Sequence, residues 1–146
     1  MSADDLAWLA LACDLARECP PSETAFSVGA VVVDAGGVEL ARGYSRETDE
    51  KVHAEESALA KLAGRDLSGA TVYSSLEPCA RRLSRPKPCA RLIMERGIGR
   101  VVFAWREPAL FVEGDGVELL EASGVEVVEL PELAESAREP NRHLLG

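Results

Sequence analysis

Apolar positions along the chain recur at two spacings, and each change of spacing marks a new element. From Asp4 to Cys19, Leu6, Leu9, Ala10, Cys13, Ala16 and Arg17 fall on a helical period, with Ser2 or Asp4 as cap and Pro20-Pro21 as stop. The Val-rich run Val28 to Asp34 has the character of a buried strand, Gly36-Gly37 of a turn, and Val38 to Ser45 of the returning strand. Helical patterns follow at Val52 to Ala63, Pro88 to Arg96 and Val117 to Ser123, ending at Gly64, Gly97 and Gly124. Strand patterns fall between and after them at Thr71 to Ser75, Arg100 to Trp105 and Val125 to Leu130. Glu132 to Leu145 reads as a closing helix disturbed by Pro140.

The order α-ββ-α-β-α-β-α-β-α predicts a three-layer α/β/α domain around a mixed five-stranded sheet. A helix between the last two strands implies a right-handed crossover, so those strands are expected to be parallel. No repeat, low-complexity tract or linker divides the 146 residues, so one domain is expected over 1–146.

Composition narrows the partners. No apolar run approaches the roughly 20 residues of a membrane span. Met1 to Leu11 carries Asp4 and Asp5 and no basic residue, unlike a secretory signal, so a cytoplasmic location is expected. The net charge of -9 argues against unspecific binding to nucleic acid or anionic membrane. Four cysteines, Cys13, Cys19, Cys79 and Cys89, in a chain able to form its own core suit metal or core roles better than disulfides.

The chemistry lies in three fragments: His53-Ala54-Glu55, Pro78-Cys79 and Pro88-Cys89. One His and two Cys make a three-ligand zinc set with a fourth position open to water, the mark of a catalytic site. Both cysteines follow a proline, which favours a helix start, and a helix N-terminus favours the thiolate that zinc needs. Two thiolates and a neutral imidazole cancel the charge of one Zn2+. Such a site acidifies water weakly, and Glu55 is the expected base that takes the water's proton and returns it to a leaving amine. The expected reaction is hydrolytic deamination at an amidine-like carbon, the chemistry of the His-x-Glu and Pro-Cys-x-x-Cys nucleobase deaminases. Here the second half is stretched to nine residues between the cysteines. The bland alternatives are buried cysteines, the better account of Cys13 and Cys19, or a structural zinc recruiting one of those two as fourth ligand.

With these fragments in place, the sequence resembles the cytidine deaminase superfamily, and within it the pyrimidine deaminase of riboflavin biosynthesis. Val28-Gly29-Ala30-Val31-Val32-Val33, His53-Ala54-Glu55 with Ala58-Leu59, and Gly69-Ala70-Thr71-Val72-Tyr73 carry the likeness. So do Leu76-Glu77-Pro78-Cys79, Pro88-Cys89 with Leu92-Ile93, Gly97-Ile98, Arg100-Val101-Val102, Gly114-Asp115-Gly116 and Gly124-Val125-Glu126-Val127. Ala137-Arg138 and Asn141 extend it, so similarity spans about residues 6–143. The resemblance implies one Zn2+ per chain on His53, Cys79 and Cys89, with Glu55 catalytic. It places the backbone N–H groups of Ala54 and Glu55 near the pyrimidine edge. It also implies a homodimer or homotetramer, and no reductase activity in this chain.

The departures concern substrate. The family has Asn-Pro where this chain has Ala25-Phe26-Ser27, and a Ser-His pair where it has Ala80, Arg81, Arg82 and Leu83. It has Asp-Pro-Asn-Pro where this chain has Glu107-Pro108-Ala109-Leu110. All three fall where an open α/β sheet binds ligand. Residues 81–91 hold five of the sixteen basic residues, and Arg81, Arg82, Arg85 and Lys87 are candidates for an anion site; a solvated loop is the plain alternative. Phe26 and Trp105 are candidates for a stacking wall, with core packing as the alternative. Glu47, Asp49 and Glu50 are a solvated loop or contacts to an exocyclic amine. The leading expectation is deamination of a small aminopyrimidine, with a phosphorylated riboside as its candidate form. Its rivals are a different amino-heterocycle in a specialised pathway and a tRNA or nucleoside deaminase, which the acidic charge disfavours.

Overall fold

The computed structural model describes residues 3–79, 88–106 and 116–145. Helices α1 (Ala3–Ala16), α2 (Ala54–Ala60), α3 (Cys89–Glu95), α4 (Gly116–Ala122) and α5 (Ala134–Arg138) interleave with five strands. These are β1 (Gly29–Val33), β2 (Glu39–Tyr44), β3 (Thr71–Leu76), β4 (Arg100–Trp105) and β5 (Glu126–Glu129), in the spatial order β2-β1-β3-β4-β5. β1 runs antiparallel to β2 and to β3, whereas β3, β4 and β5 are mutually parallel neighbours. The expected mixed sheet and parallel final pair are therefore observed.

Alternation along the strands divides the core into two layers. Val31, Val33, Tyr73, Val102 and Ala104 pack with Leu9, Ala12 and Cys13 of α1 and Ala137 of α5. Val32, Val72 and Val101 pack with Ala58 and Leu59 of α2, Ala90 and Ile93 of α3, and Leu120 of α4. β1 is buried along its whole length because both faces are covered, which is why its sequence is apolar without alternation. α2 lies directly on β2 because Gly43 has no side chain: a Cβ there would stand 2.6 Å from the Ala58 nitrogen.

The helix boundaries differ from expectation for local reasons. α1 ends at Ala16, and the amides of Arg17, Glu18 and Cys19 close tight turns onto Asp14, Leu15 and Ala16. His53 is extended (φ -89°, ψ 160°), so α2 begins after it and not at Val52. The closing helix is α5 flanked by 3-10 turns at Pro131–Leu133 and Glu139–Leu144, since Pro140 has no N–H for a helical bond.

Far from the carboxyl ends of the parallel strands, buried Asp5 ties α1 to the sheet. Tyr73 donates its hydroxyl to Asp5 Oδ1 at 2.6 Å, and Arg100 donates Nη1 and Nη2 to the two Asp5 oxygens at 2.9 and 2.7 Å. Burial, aided by Asp5, pushes the Tyr73 phenol up to about 12, and burial pushes the Cys13 thiol up to about 11. Both groups are held neutral in the fold. Their contribution to stability is complete below the ordinary values of 10.0 and 9.0 and is lost as pH rises through about 12 and 11. The melting midpoint is therefore expected to fall progressively in alkali above about pH 9. A midpoint constant to about pH 12 contradicts this.

Candidate active site

Register brings the pieces to one end of the sheet. Pairing of Gly29 with Tyr44 and of Ala30 with Ser74 sets the start of β1 and the end of β2 beside the carboxyl end of β3. From that end β3 runs into Glu77-Pro78-Cys79, β4 ends at Trp105, and the segment after β2 leads to His53.

His53 is the residue before α2, and Glu56 accepts its amide at 3.2 Å, which fixes the turn into the helix. The extended backbone at His53 lets its ring and the Glu55 side chain serve one site although they are two residues apart. Cys89 is the first residue of α3, after Pro88. The Cys89 amide donates to Cys79 Sγ at 3.3 Å, and the Ala90 amide donates to the Cys79 carbonyl at 3.0 Å. One helix start thus supplies one sulfur of the pair and holds the other. Hydrogen bonding from Cys89 pulls the Cys79 thiol down to about 5 against the effect of burial, with His53 adding to the pull.

The three donor atoms lie within 4.8 Å of one another. His53 Nδ1 stands 3.6 Å from Cys79 Sγ and 3.4 Å from Cys89 Sγ. Bonds of about 2.3 Å to sulfur and about 2.05 Å to nitrogen at tetrahedral angles give an N···S edge of about 3.6 Å, so the donor set fits Zn2+. Cys13 and Cys19 belong elsewhere. Their thiols face the Leu133 and Val28 carbonyl oxygens at 4.0 and 3.5 Å, and neither joins the cluster.

Glu55 is only 4% exposed. Burial raises its carboxyl above the usual range and the negative charge of Cys79 adds to this, while His53 and Ser74 oppose it. Ser74, fully buried in β3, donates to the Leu76 carbonyl at 2.7 Å and lies 3.2 Å from Glu55 Oε2. Sequence reading missed Ser74. Its only signal was the Ser74-Ser75 pair between Tyr73 and Leu76, three positions before Glu77-Pro78-Cys79. Glu77 belongs to the family-like stretch Leu76-Glu77-Pro78-Cys79, and its buried carboxylate accepts the Val117 amide at 3.0 Å and anchors α4.

Ala54 is buried at the first position of α2. Phe26 and Trp105 are both buried in the core layer that holds α1, and pack edge to face with centroids 5.4 Å apart. Glu47 is more than a solvated loop residue: Ser57 donates to it at 2.6 Å and Lys61 at 3.0 Å, tying the segment before His53 to α2. Arg81, Arg82, Arg85 and Lys87 lie outside the described residues, as does the Glu107-Pro108-Ala109-Leu110 segment.

This arrangement defines a class. Residues 2–105 match the cytidine and deoxycytidylate deaminase zinc-binding region, and the chain belongs to that family. Among individual relatives, the diaminohydroxyphosphoribosylamino-pyrimidine deaminase of Schizosaccharomyces pombe is 42% identical over 118 residues, covering 78% of this chain and 29% of that protein. The riboflavin biosynthesis protein RibD of Aquifex aeolicus is 44% identical over 115 residues, covering 79% of this chain and 31% of that protein. The solved diaminohydroxyphosphoribosylaminopyrimidine deaminase/5-amino-6-(5-phosphoribosylamino)uracil reductase of Thermotoga maritima superposes with a TM-score of 0.79 at 34% identity, over 97% of this chain and 40% of that one. The chain spans about three-tenths of the length of the curated relatives it matches. Among the described residues no helix is long and apolar enough to cross a membrane.

Proposed function

We propose that this chain is a zinc-dependent hydrolytic deaminase of a diaminohydroxyphosphoribosylaminopyrimidine, the substrate class named for its Schizosaccharomyces pombe relative. The observation that carries the reaction class is the cluster of His53, Cys79 and Cys89 beside the buried carboxylate of Glu55. His53 Nδ1 and the two sulfurs would hold one Zn2+ per chain, which would supply Lewis acidity toward the attacking water. Glu55 accepts the water's proton as the oxygen adds, then delivers a proton to the exocyclic nitrogen as the C–N bond breaks and ammonia leaves. A raised carboxyl suits a group that must act first as base and then as acid. The backbone amides of Ala54 and Glu55 face the pyrimidine edge. Arg81, Arg82, Arg85 and Lys87 supply charge for the phosphate. Residues 1–146 form one deaminase domain, which acts as a cytoplasmic homo-oligomer, a dimer or tetramer.

A second reading, a different amino-heterocycle, is favoured by one observation. Ala25-Phe26-Ser27 replaces an Asn-Pro pair, and Phe26 is buried against Trp105. Ammonia release across phosphorylated and unphosphorylated aminopyrimidines and aminopurines separates the two. Turnover of the phosphoribosylaminopyrimidine within the ordinary enzyme range of about 1–10³ per second supports the first reading. Activity confined to another ring supports the second. Chelation is expected to abolish turnover in either case, and stoichiometric Zn2+ to restore it. Full activity in a metal-free protein rejects both.

A further inference from the structure

Arg46 has φ of 61°, the one positive φ of a non-glycine residue among the described residues. A left-handed backbone is unfavourable for an arginine and persists only where the surroundings over-determine it. Here they do. The Arg46 amide donates to the Val52 carbonyl at 2.8 Å, closing the segment that delivers His53. Its guanidinium reaches the other way. Nε and Nη2 donate to the Pro20 carbonyl at 3.0 and 2.8 Å, Nη1 to the Phe26 carbonyl at 3.2 Å, and Nη2 to Ser27 Oγ at 2.6 Å. One planar fork therefore grips both ends of residues 20–27, the segment that carries Phe26 and leads into the start of β1 beside the carboxyl end of β3.

Four of the five guanidinium N–H groups are spent on neutral oxygens, and among the described residues no carboxylate pairs with Arg46. Such a group is poorly explained as a surface ion pair. Its acceptors are positioned for a planar fork and not for a point charge. Ser27 is held from the opposite side as well: its amide donates to Asn141 Oδ1 at 2.6 Å, and Asn141 Nδ2 donates back to its carbonyl at 2.9 Å. The segment is clamped between Arg46 and the C-terminal turns.

We infer that Arg46 is a positioning residue that locks residues 20–27 to the approach of His53, and so sets how tightly the site binds its substrate. The effect on substrate binding rests on the deaminase reading above; the effect on the order of the segment does not. Two variants of the full zinc-loaded chain test it. Arg46→Lys keeps the charge and loses the fork. Arg46→Gly loses the side chain but relieves the left-handed backbone, which protects the fold. In both, KM for the phosphoribosylaminopyrimidine is expected to rise about tenfold with kcat within about twofold, the signature of lost binding with chemistry spared. Amide hydrogen exchange in residues 22–27 is expected to quicken about tenfold, and zinc content to stay unchanged. Unchanged exchange in either variant overturns the inference. So does a wild-type KM, a loss confined to kcat, or full rescue by lysine. If the wild-type chain leaves that compound untouched, the substrate reading fails while the exchange measurement still decides the clamp.

Discussion

Glu55→Gln is expected to keep one Zn2+ per chain and to lose turnover by about 10³-fold, within the range of a removed general acid–base. The substitution is nearly isosteric. The amide can still meet Ser74 Oγ, which lies 3.2 Å from the present Oε2, so the packing around β3 and α2 is preserved. What disappears is the ability to take a proton at one moment and return it at the next. The donor atoms His53 Nδ1, Cys79 Sγ and Cys89 Sγ are untouched, and metal analysis should read as in wild type. KM should change little, because the loss belongs to the transition state. Full activity in this variant would reject the proton-transfer role and leave the buried carboxylate without a chemical purpose. Loss of zinc alongside activity would instead move Glu55 into the metal-holding structure.

The sheet was legible because its signals are local. The Val-rich run of β1 and the helices between later strands each follow from composition and period within one short window. The cluster of His53, Cys79 and Cys89 was legible for the same reason, since each sits in a short fragment with its own turn chemistry. The resemblance then joined the fragments. What stayed hidden depends on partners distant in sequence. Ser74 meets Glu55 across 19 positions, and Glu77 meets Val117 across 40. No period or propensity records such contacts. Glu47 shows the same limit: an acidic loop residue looks solvated until the fold brings Ser57 and Lys61 to it. The start of α2 was placed two residues early, at Val52 instead of Ala54, and the difference matters. An extended His53 preceding α2 reconciles a spacing of two with a shared site, where a helix from Val52 would turn the two side chains apart.

Gly116→Ala is expected to destabilise the fold by about 2–3 kcal/mol, the cost of overpacking a closed contact. It should also weaken zinc binding about tenfold or more, as loss of a ligand's supporting shell does. A Cβ at Gly116 would fall on the carbonyl oxygen of Pro78, the residue immediately before Cys79. Backbone cannot yield there as a flexible side chain would. α4 also cannot simply withdraw, because the buried Glu77 carboxylate holds the Val117 amide at 3.0 Å. The strain must therefore be shared between the start of α4 and the Pro78-Cys79 turn, whose sulfur is 3.6 Å from His53 Nδ1. Gly99→Ala is the matched control, since no atom lies within 4 Å of a Cβ there. A competition titration with a zinc chelator and a thermal melt on both variants decide the matter. If Gly116→Ala matched Gly99→Ala in both, α4 would have no hold on the ligand turn. If only the melting midpoint fell, α4 would support the fold without setting Cys79. A joint fall in midpoint and zinc affinity is the outcome this geometry requires, because Pro78 allows no movement of its carbonyl that Cys79 does not share.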